Sequence, residues 1–352
     1  MNDNSILVIL SPGFPENECD TACLPPKQVF IRALNQCFPQ LAIVIISFQY
    51  PYRAGEYSWN GNKVIALGGK NRGNFFRLLT WWRARRILSS LQREYRIIGL
   101  LSFWCTESAL VGKRFANKHH LRHFCWISGQ DAKKENHYVK KIRPAEEELV
   151  AMSDFLVKNF QLNHQLRPSH RIPIGILKED FTAPQQDRIY DLIGAGSLIA
   201  LKQFTVFIEV VKALKKQIPG IRSILFGEGP ERKNLQHLIE TYQLQDHICL
   251  AGEKPHSEVI EIMQRSKILL HPSSYEGFGS VCIEALAAGA QVISFVQPMD
   301  SWIHHWHIAG DTAQMIQMAA CILQDPDTRF EPSVPFDMLD SARKMMTLFE
   351  FN

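Results

Sequence analysis

The stretch Lys267–Phe295, KILLHPSSYEGFGSVCIEALAAGAQVISF, decides how this 352-residue chain is read. It opens as an apolar strand ending near His271, breaks at a loop with Ser273, Ser274 and Tyr275, and sets Glu276 just before Gly277-Phe278-Gly279. A helix is expected from about Ser280, stopping at Gly289, a residue suited to close a helix because it tolerates the left-handed conformation. Gln291–Phe295 is then a second apolar strand. Strand, helix, strand in this order calls for a parallel sheet covered on both faces.

The same alternation extends in both directions. Upstream, YDLIGAG (190–196), IRSILFG (221–227), HICLAG (247–252) and KILLHPS (267–273) read as strands. Between them FTVFIEVVKALKKQI, ERKNLQHLIETYQ and HSEVIEIMQRS carry helical periodicity. The first half repeats the rhythm with strands in SILVILS, LAIVIISF, IIGLLSFW and HFCWIS, and helices in PKQVFIRALNQCF, FFRLLTWWRARRILSSLQREY and ESALVGKRFANKH. The segment 166–187, LRPSHRIPIGILKEDFTAPQQD, interrupts it with three prolines and is taken as a linker. The fold expected is α/β with two doubly wound, Rossmann-like domains facing each other across a cleft: 1–175, 176–335, and a C-terminal helix at 336–352 that crosses back to the first domain. Open sheets of this kind bind ligands at the carboxyl ends of their strands.

Composition is that of a globular protein, 46% hydrophobic and 21% charged, with a net charge of only +4. Nucleic-acid binding calls for a more basic domain and a recognisable module, and the sequence has neither. No apolar run is long enough to span a bilayer, and the first residues, with an acid and no Lys or Arg, argue against a secretory leader. The cytoplasm is the expected location. Eight scattered cysteines are expected as reduced thiols, since Cys19 and Cys23 lack a second pair to complete a zinc site. The clusters His304-His305-His307 and His119-His120-His123 lack carboxylate or cysteine partners nearby and are read as ordinary histidines.

The loop after His271 carries the chemistry. Gly277 and Gly279 let backbone approach a ligand and adopt positive φ. The unpaired amides and dipole of the following helix start make an anion site able to take a diphosphate. Glu284, a little over one turn into that helix, can aim back at the same place as Glu276. A carboxylate on each side of a phosphate cradle can grip hydroxyl-rich groups on both flanks, which is what a nucleotide sugar requires.

EGFGSVCIE, Glu276 to Glu284, resembles the Glu-x7-Glu motif of family 4 glycosyltransferases of the GT-B fold. GAGSLIALKQF around Gly196 and Lys202, ILFGEGPE around Gly229, and ICLAGEK around Gly252 resemble further words of that family in the same order, over about residues 190–295. The resemblance implies a retaining, metal-independent hexosyltransferase of polysaccharide-building type, with no cofactor beyond a UDP- or GDP-type nucleotide-sugar co-substrate. It implies that Glu284 binds ribose hydroxyls, Glu276 binds the transferred sugar, and backbone around Gly277, Phe278, Gly279 and Ser280 lies beside them. Lys202 then neutralises the diphosphate, Gly196 and Gly229 line the donor site, and Glu253 and Lys254 lie near the base. Ser197 stands where the family commonly has arginine, which leaves Lys202 the main cation. In the first domain, which would bind a glycan or lipid-linked acceptor, Asp131 or Gln130 stands where the family often has a histidine, so Asp131 joins the catalytic candidates. The loop with Glu16, Glu18 and Asp20 reads as a solvated face.

The basic, aromatic segment 70–96 has two readings. The favoured one is a domain helix with Trp81, Ala84, Leu88, Leu91 and Tyr95 against the sheet. The other is peripheral contact with the inner face of a membrane. Two alternatives to a transferase remain: a nucleotide-sugar epimerase, for which no acid/base set is found, and a non-catalytic binding protein.

Overall fold

The computed structural model describes residues 4–181 and 187–351. Residues 182–186 of the expected linker, residues 1–3 of the N-terminal stretch and Asn352 lie outside the described residues. The chain divides into two compact units, 1–174 with 338–352, and 175–337.

The first unit runs β1 (Ser5–Gly13), α1 (Pro25–Cys37), β2 (Ala42–Tyr50), β3 (Gly55–Trp59), β4 (Asn62–Ala66), α2 (Asn74–Glu94), β5 (Arg96–Phe103), α3 (Glu107–His119), β6 (His123–Ile127), α4 (Tyr138–Ile142), β7 (Leu149–Ala151), α5 (Asp154–His164) and β8 (His170–Arg171). The second runs β9 (Tyr190–Ala195), α6 (Phe204–Leu214), β10 (Ser223–Phe226), α7 (Arg232–Thr241), β11 (Ile248–Gly252), α8 (His256–Gln264), β12 (Ser266–His271), α9 (Ser280–Ala287), β13 (Gln291–Ser294), β14 (Trp306–Ile308) and α10 (Thr312–Gln324). A last helix, α11 (Met338–Leu348), packs on α1 in the first unit. Just beyond it, Phe349 fills the space above Gly99 of β5.

The first unit is built on an eight-stranded sheet of order β3-β4-β2-β1-β5-β6-β7-β8. Residues Ile6–Leu10 of β1 are buried almost completely, as a strand covered on both faces must be. The expectation of a wholly parallel sheet is corrected at its edge, where β3 and β4 pair antiparallel. Their turn is Asn60-Gly61 with φ 45° and 78°, the paired positive values that a tight two-residue hairpin demands. On α2, Ala84, Leu88 and Leu91 are buried on the sheet, with Trp81 and Tyr95 packed alongside.

The second unit has a six-stranded, all-parallel sheet of order β11-β10-β9-β12-β13-β14. Counted from its own first strand this is 3-2-1-4-5-6, the order of a Rossmann sheet, and it reverses direction between β9 and β12. The turns after β9, β10 and β11 are stitched together by main chain. Gly196 N donates to Phe226 O at 3.1 Å, Gly227 N to Gly252 O at 2.8 Å, and Leu198 N to Glu228 O at 2.9 Å. Gly227 is where this stitching demands a glycine: its φ is 134°, and a Cβ there would lie 1.9 Å from the carbonyl oxygen of Gly196. Replacing it must separate two backbones rather than move a side chain. Gly227→Ala is therefore expected to cost about 3 kcal/mol, by strain and lost main-chain contacts, in the second unit. Urea unfolding checks this; a loss within about 0.5 kcal/mol contradicts it.

Candidate donor-binding site

Where the strand order reverses, neighbouring connections leave in opposite directions and open a crevice at the strand ends. In the second unit that point lies between β9 and β12. The segment after β9 supplies Gly196, Ser197 and Lys202, and the end of β12 with the loop up to the start of α9 supplies His271 through Ser280. Ser274 N donates to Leu201 O at 3.0 Å and joins the two loops through main chain.

Their side chains meet on one carboxylate. Glu276 Oε2 accepts from Lys202 Nζ at 2.5 Å and from His271 Nε2 at 3.0 Å. Ser273 Oγ lies 3.1 Å from the same imidazole nitrogen. Burial holds His271 below the usual histidine range, opposed in part by Glu276, so its ring is neutral and meets the carboxylate as the Nε2–H tautomer. Burial alone would raise Glu276. The hydrogen bond from His271 and the charge of Lys202 outweigh it and bring the carboxyl down to about 2. Glu276 is thus an anion at any working pH, suited to accept hydroxyl hydrogen bonds and not to donate a proton.

Gly279 caps α9 in a left-handed conformation, φ 84°, and points the first amides of that helix into the loop. The positive φ allowed for both glycines is found at Gly279, whereas Gly277 is not among the positive-φ glycines. Phe278 turns inward, 2% exposed, with its ring against Phe336 at 5.4 Å, so only its backbone faces the loop. Glu284 Oε1 lies 3.1 Å from His256 Nε2 at the start of α8. Lys202 lies over Gly196, its Cε 3.7 Å from where a Cβ would stand. Ser197 is exposed at the same turn. Gly229 sits against the main chain of Leu198, 2.4 Å from a would-be Cβ, and so shapes the turn. Glu253 and Lys254 are exposed beyond β11, with Lys254 paired to Glu258 at 3.3 Å.

The structure therefore gathers Gly196, Lys202, Glu276 and Gly279 at one place, with Glu284 one turn further along α9. Two residues given no role from sequence enter it. His271 is a polar residue closing the apolar run Ile268–Leu270, a signal visible in the sequence. His256 could not be foreseen, since its partner Glu284 is distant in the chain.

The first unit has its own reversal, between β1 and β5. A cleft of about 710 Å³ lies there, lined among others by Gln49, Tyr50, Asn71, Trp104, Gln130 and Asn136. Asp131 borders it but is 3% exposed, and its carboxylate is committed to backbone amides: Gly129 at 2.8 Å, Cys105 at 3.0 Å and Ser128 at 3.1 Å. Burial pushes this carboxyl up against the pull of those amides. What Asp131 gives the cleft is the shape of the turn after β6. Behind it, Lys27 is buried with Nζ 3.8 Å from the centre of the Trp126 ring, and burial holds its amine well below the usual lysine range.

Comparison with known proteins shows what the chain resembles. Residues 178–301 match the family model described as Glycosyl transferases group 1. The phosphatidylinositol N-acetylglucosaminyltransferase gpi3 subunit of Schizosaccharomyces pombe is 28% identical over 203 residues, 56% of this chain and 44% of that protein. The UDP-N-acetylglucosamine–peptide N-acetylglucosaminyltransferase GtfA subunit of Streptococcus pneumoniae is 29% identical over 127 residues, 36% of this chain and 25% of that one. The chain thus spans less than half the length of these curated relatives. Among solved structures, sucrose-phosphate synthase from Thermosynechococcus elongatus superposes with a TM-score of 0.70 at 16% identity, covering 98% of this chain and 94% of that one. HepE of Anabaena, solved with UDP and glucose, gives 0.68 at 14% identity and 99% of both chains. The fold is that of the GT-B glycosyltransferases, as the motif words implied.

The depressed Glu276 carboxyl has a stability consequence. Because its folded value, about 2, lies below the ordinary 4.5, its contribution is complete above pH 4.5 and is lost as pH falls toward 2. The full difference is at most about 3 kcal/mol. Melting wild type and Glu276→Gln across pH 6 to 3 should show the wild-type advantage shrinking below pH 4.5. An advantage independent of pH contradicts the assignment.

Proposed function

We propose that the protein is a retaining glycosyltransferase that moves a sugar from a UDP-sugar, with UDP-N-acetylglucosamine as the leading donor, to a glycan or lipid-linked acceptor. The observation that carries this reading is the meeting of Lys202, Glu276 and the α9 start at the switch point, with Glu284 one turn on. The donor choice is supported by the relatives, whose names are those of N-acetylglucosaminyltransferases.

In this reading the diphosphate lies on the amides at Gly279-Ser280, and Lys202 swings from Glu276 to the phosphate as donor binds. Glu276, held by His271, then takes hydroxyls of the sugar, and Glu284, steadied by His256, takes the ribose. The base lies toward Glu253 and Lys254, and Ser197 donates to a phosphate oxygen. As the glycosidic bond breaks, charge grows on the departing diphosphate, and the lysine and helix amides stabilise it where it develops. The acceptor attacks from the face the leaving group departs, which keeps the anomeric configuration. The Glu276–Glu284 spacing supports placing it with family 4, and Lys202 in the cation's place supports a metal-independent reaction. The first-unit cleft, with amides beside Trp104 and Tyr50, suits a sugar, whose hydroxyls need donors and acceptors and whose apolar face packs on rings. Asp131 is there a positioning residue. A cytoplasmic site of action completes the reading.

The test is nucleotide release from UDP-N-acetylglucosamine, UDP-glucose and a GDP-sugar without acceptor. Slow UDP release is expected, unchanged by a metal chelator and about 10- to 100-fold slower in Lys202→Ala, the scale of a lost charged hydrogen bond. Binding without turnover, or release indifferent to Lys202, would sink the transferase assignment; loss of release on chelation would sink its metal independence.

A further inference from the structure

The face of α2 turned away from the sheet is unlike the rest of the surface. Of seven large apolar side chains exposed among the described residues, four lie within two turns of this helix: Phe75 at 72%, Phe76 at 52%, Leu78 at 58% and Trp82 at 52%. Their concentration separates them from the scattered exposed side chains every protein carries. Phe75, Leu78 and Trp82 follow helical spacing and form one stripe, opposite Ala84, Leu88 and Leu91 on the core.

Arginines surround that stripe. Arg86 stacks on Trp82 at 4.7 Å and Arg72 on Phe76 at 5.1 Å, while Arg83 and Arg85 are exposed beside them. Acidic groups nearby are committed elsewhere. Glu56, in the groove beside Trp82, pairs with Lys63 at 2.8 Å, and buried Glu107 accepts from Trp81 Nε1 at 2.8 Å with Arg77 at 3.9 Å. Glu94 ends the helix, three turns away. Aromatic and aliphatic side chains ringed by guanidinium groups match a surface that is apolar within and anionic outside.

We propose that the first half of α2 docks on an anionic phospholipid surface, with Phe75, Leu78 and Trp82 entering the acyl boundary and Arg72, Arg83 and Arg86 at the headgroups. Charge complementarity decides for lipid, because an apolar protein groove would leave this arginine ring unmatched. The proposal is independent of the transferase reading, although a lipid-linked acceptor would give docking a purpose.

The test is co-sedimentation of the full chain with phosphatidylcholine vesicles, with and without one-third phosphatidylglycerol. Binding is expected to the anionic vesicles only and to fall with salt. Arg83→Gln with Arg86→Gln should weaken it roughly 25-fold, about fivefold per charge. Phe75→Ser with Trp82→Ser should reduce it at least tenfold at every salt concentration, with the melting temperature kept because both side chains are exposed. UDP affinity measured in the same variants should match wild type, which separates failure of docking from failure of the donor site. Equal binding to neutral vesicles, no binding at all, or full binding by the Phe75/Trp82 variant overturns the proposal. So does a wild-type dimer in light scattering that these substitutions dissolve, because the face would then belong to a second copy.

Discussion

Loops leaving β9 and β12 have no main-chain ladder to hold them against each other, because the sheet order reverses between these strands. What holds them is a single main-chain hydrogen bond, Ser274 N to Leu201 O, together with the carboxylate of Glu276, which takes an ammonium from one loop and an imidazole from the strand end of the other. The arrangement is stable because three effects are balanced. Burial would neutralise the carboxyl, the lysine charge and the histidine hydrogen bond keep it ionised, and the same burial keeps the histidine neutral, so only one cation is placed beside one anion. A pair of this kind is a poor source of net stability. In the proposed function it keeps a lysine beside the place where the diphosphate would lie.

The glycines make that arrangement possible at close range. Gly196, Gly227 and Gly252 bring the ends of three adjacent strands together through backbone. Gly279 starts α9 in a conformation that other residues rarely adopt and directs its amides to the same place. The first unit solves a similar problem differently. There a buried carboxylate, Asp131, ties the β6 turn by its amides, and the cleft beside it is lined by amide and aromatic side chains together with Lys133 and Glu135.

Most of the second unit was legible because each strand is an apolar run closed by glycine or by a polar residue, and each helix keeps a clear period. The hairpin Gly55–Ala66 departs from the strand–helix alternation on both sides of it, and its one local signal is Asn60-Gly61. β14 is three residues with a histidine in the middle, too short for any periodic signal. The carboxylates and Lys202 could be named from the order of their motifs. The partnership of His256 with Glu284, and the commitment of Asp131 to amides of Cys105 and Gly129, depend on contacts between distant segments and have no local trace. The helix at 74–94 has Ala84, Leu88 and Leu91 on the core, as the favoured reading expects, and a second face of exposed rings among arginines on which membrane contact is a proposal.

In the proposed function the Lys202–Glu276 contact marks a diphosphate site flanked by a ribose anchor. A crystal structure of the protein with UDP tests it most directly. The β-phosphate is expected on the amides at Gly279-Ser280, with Lys202 Nζ moved from Glu276 to a phosphate oxygen and Glu284 within hydrogen-bond distance of the ribose hydroxyls. UDP bound away from α9, or bound there with the Lys202–Glu276 pair intact and Glu284 off the ribose, would contradict it.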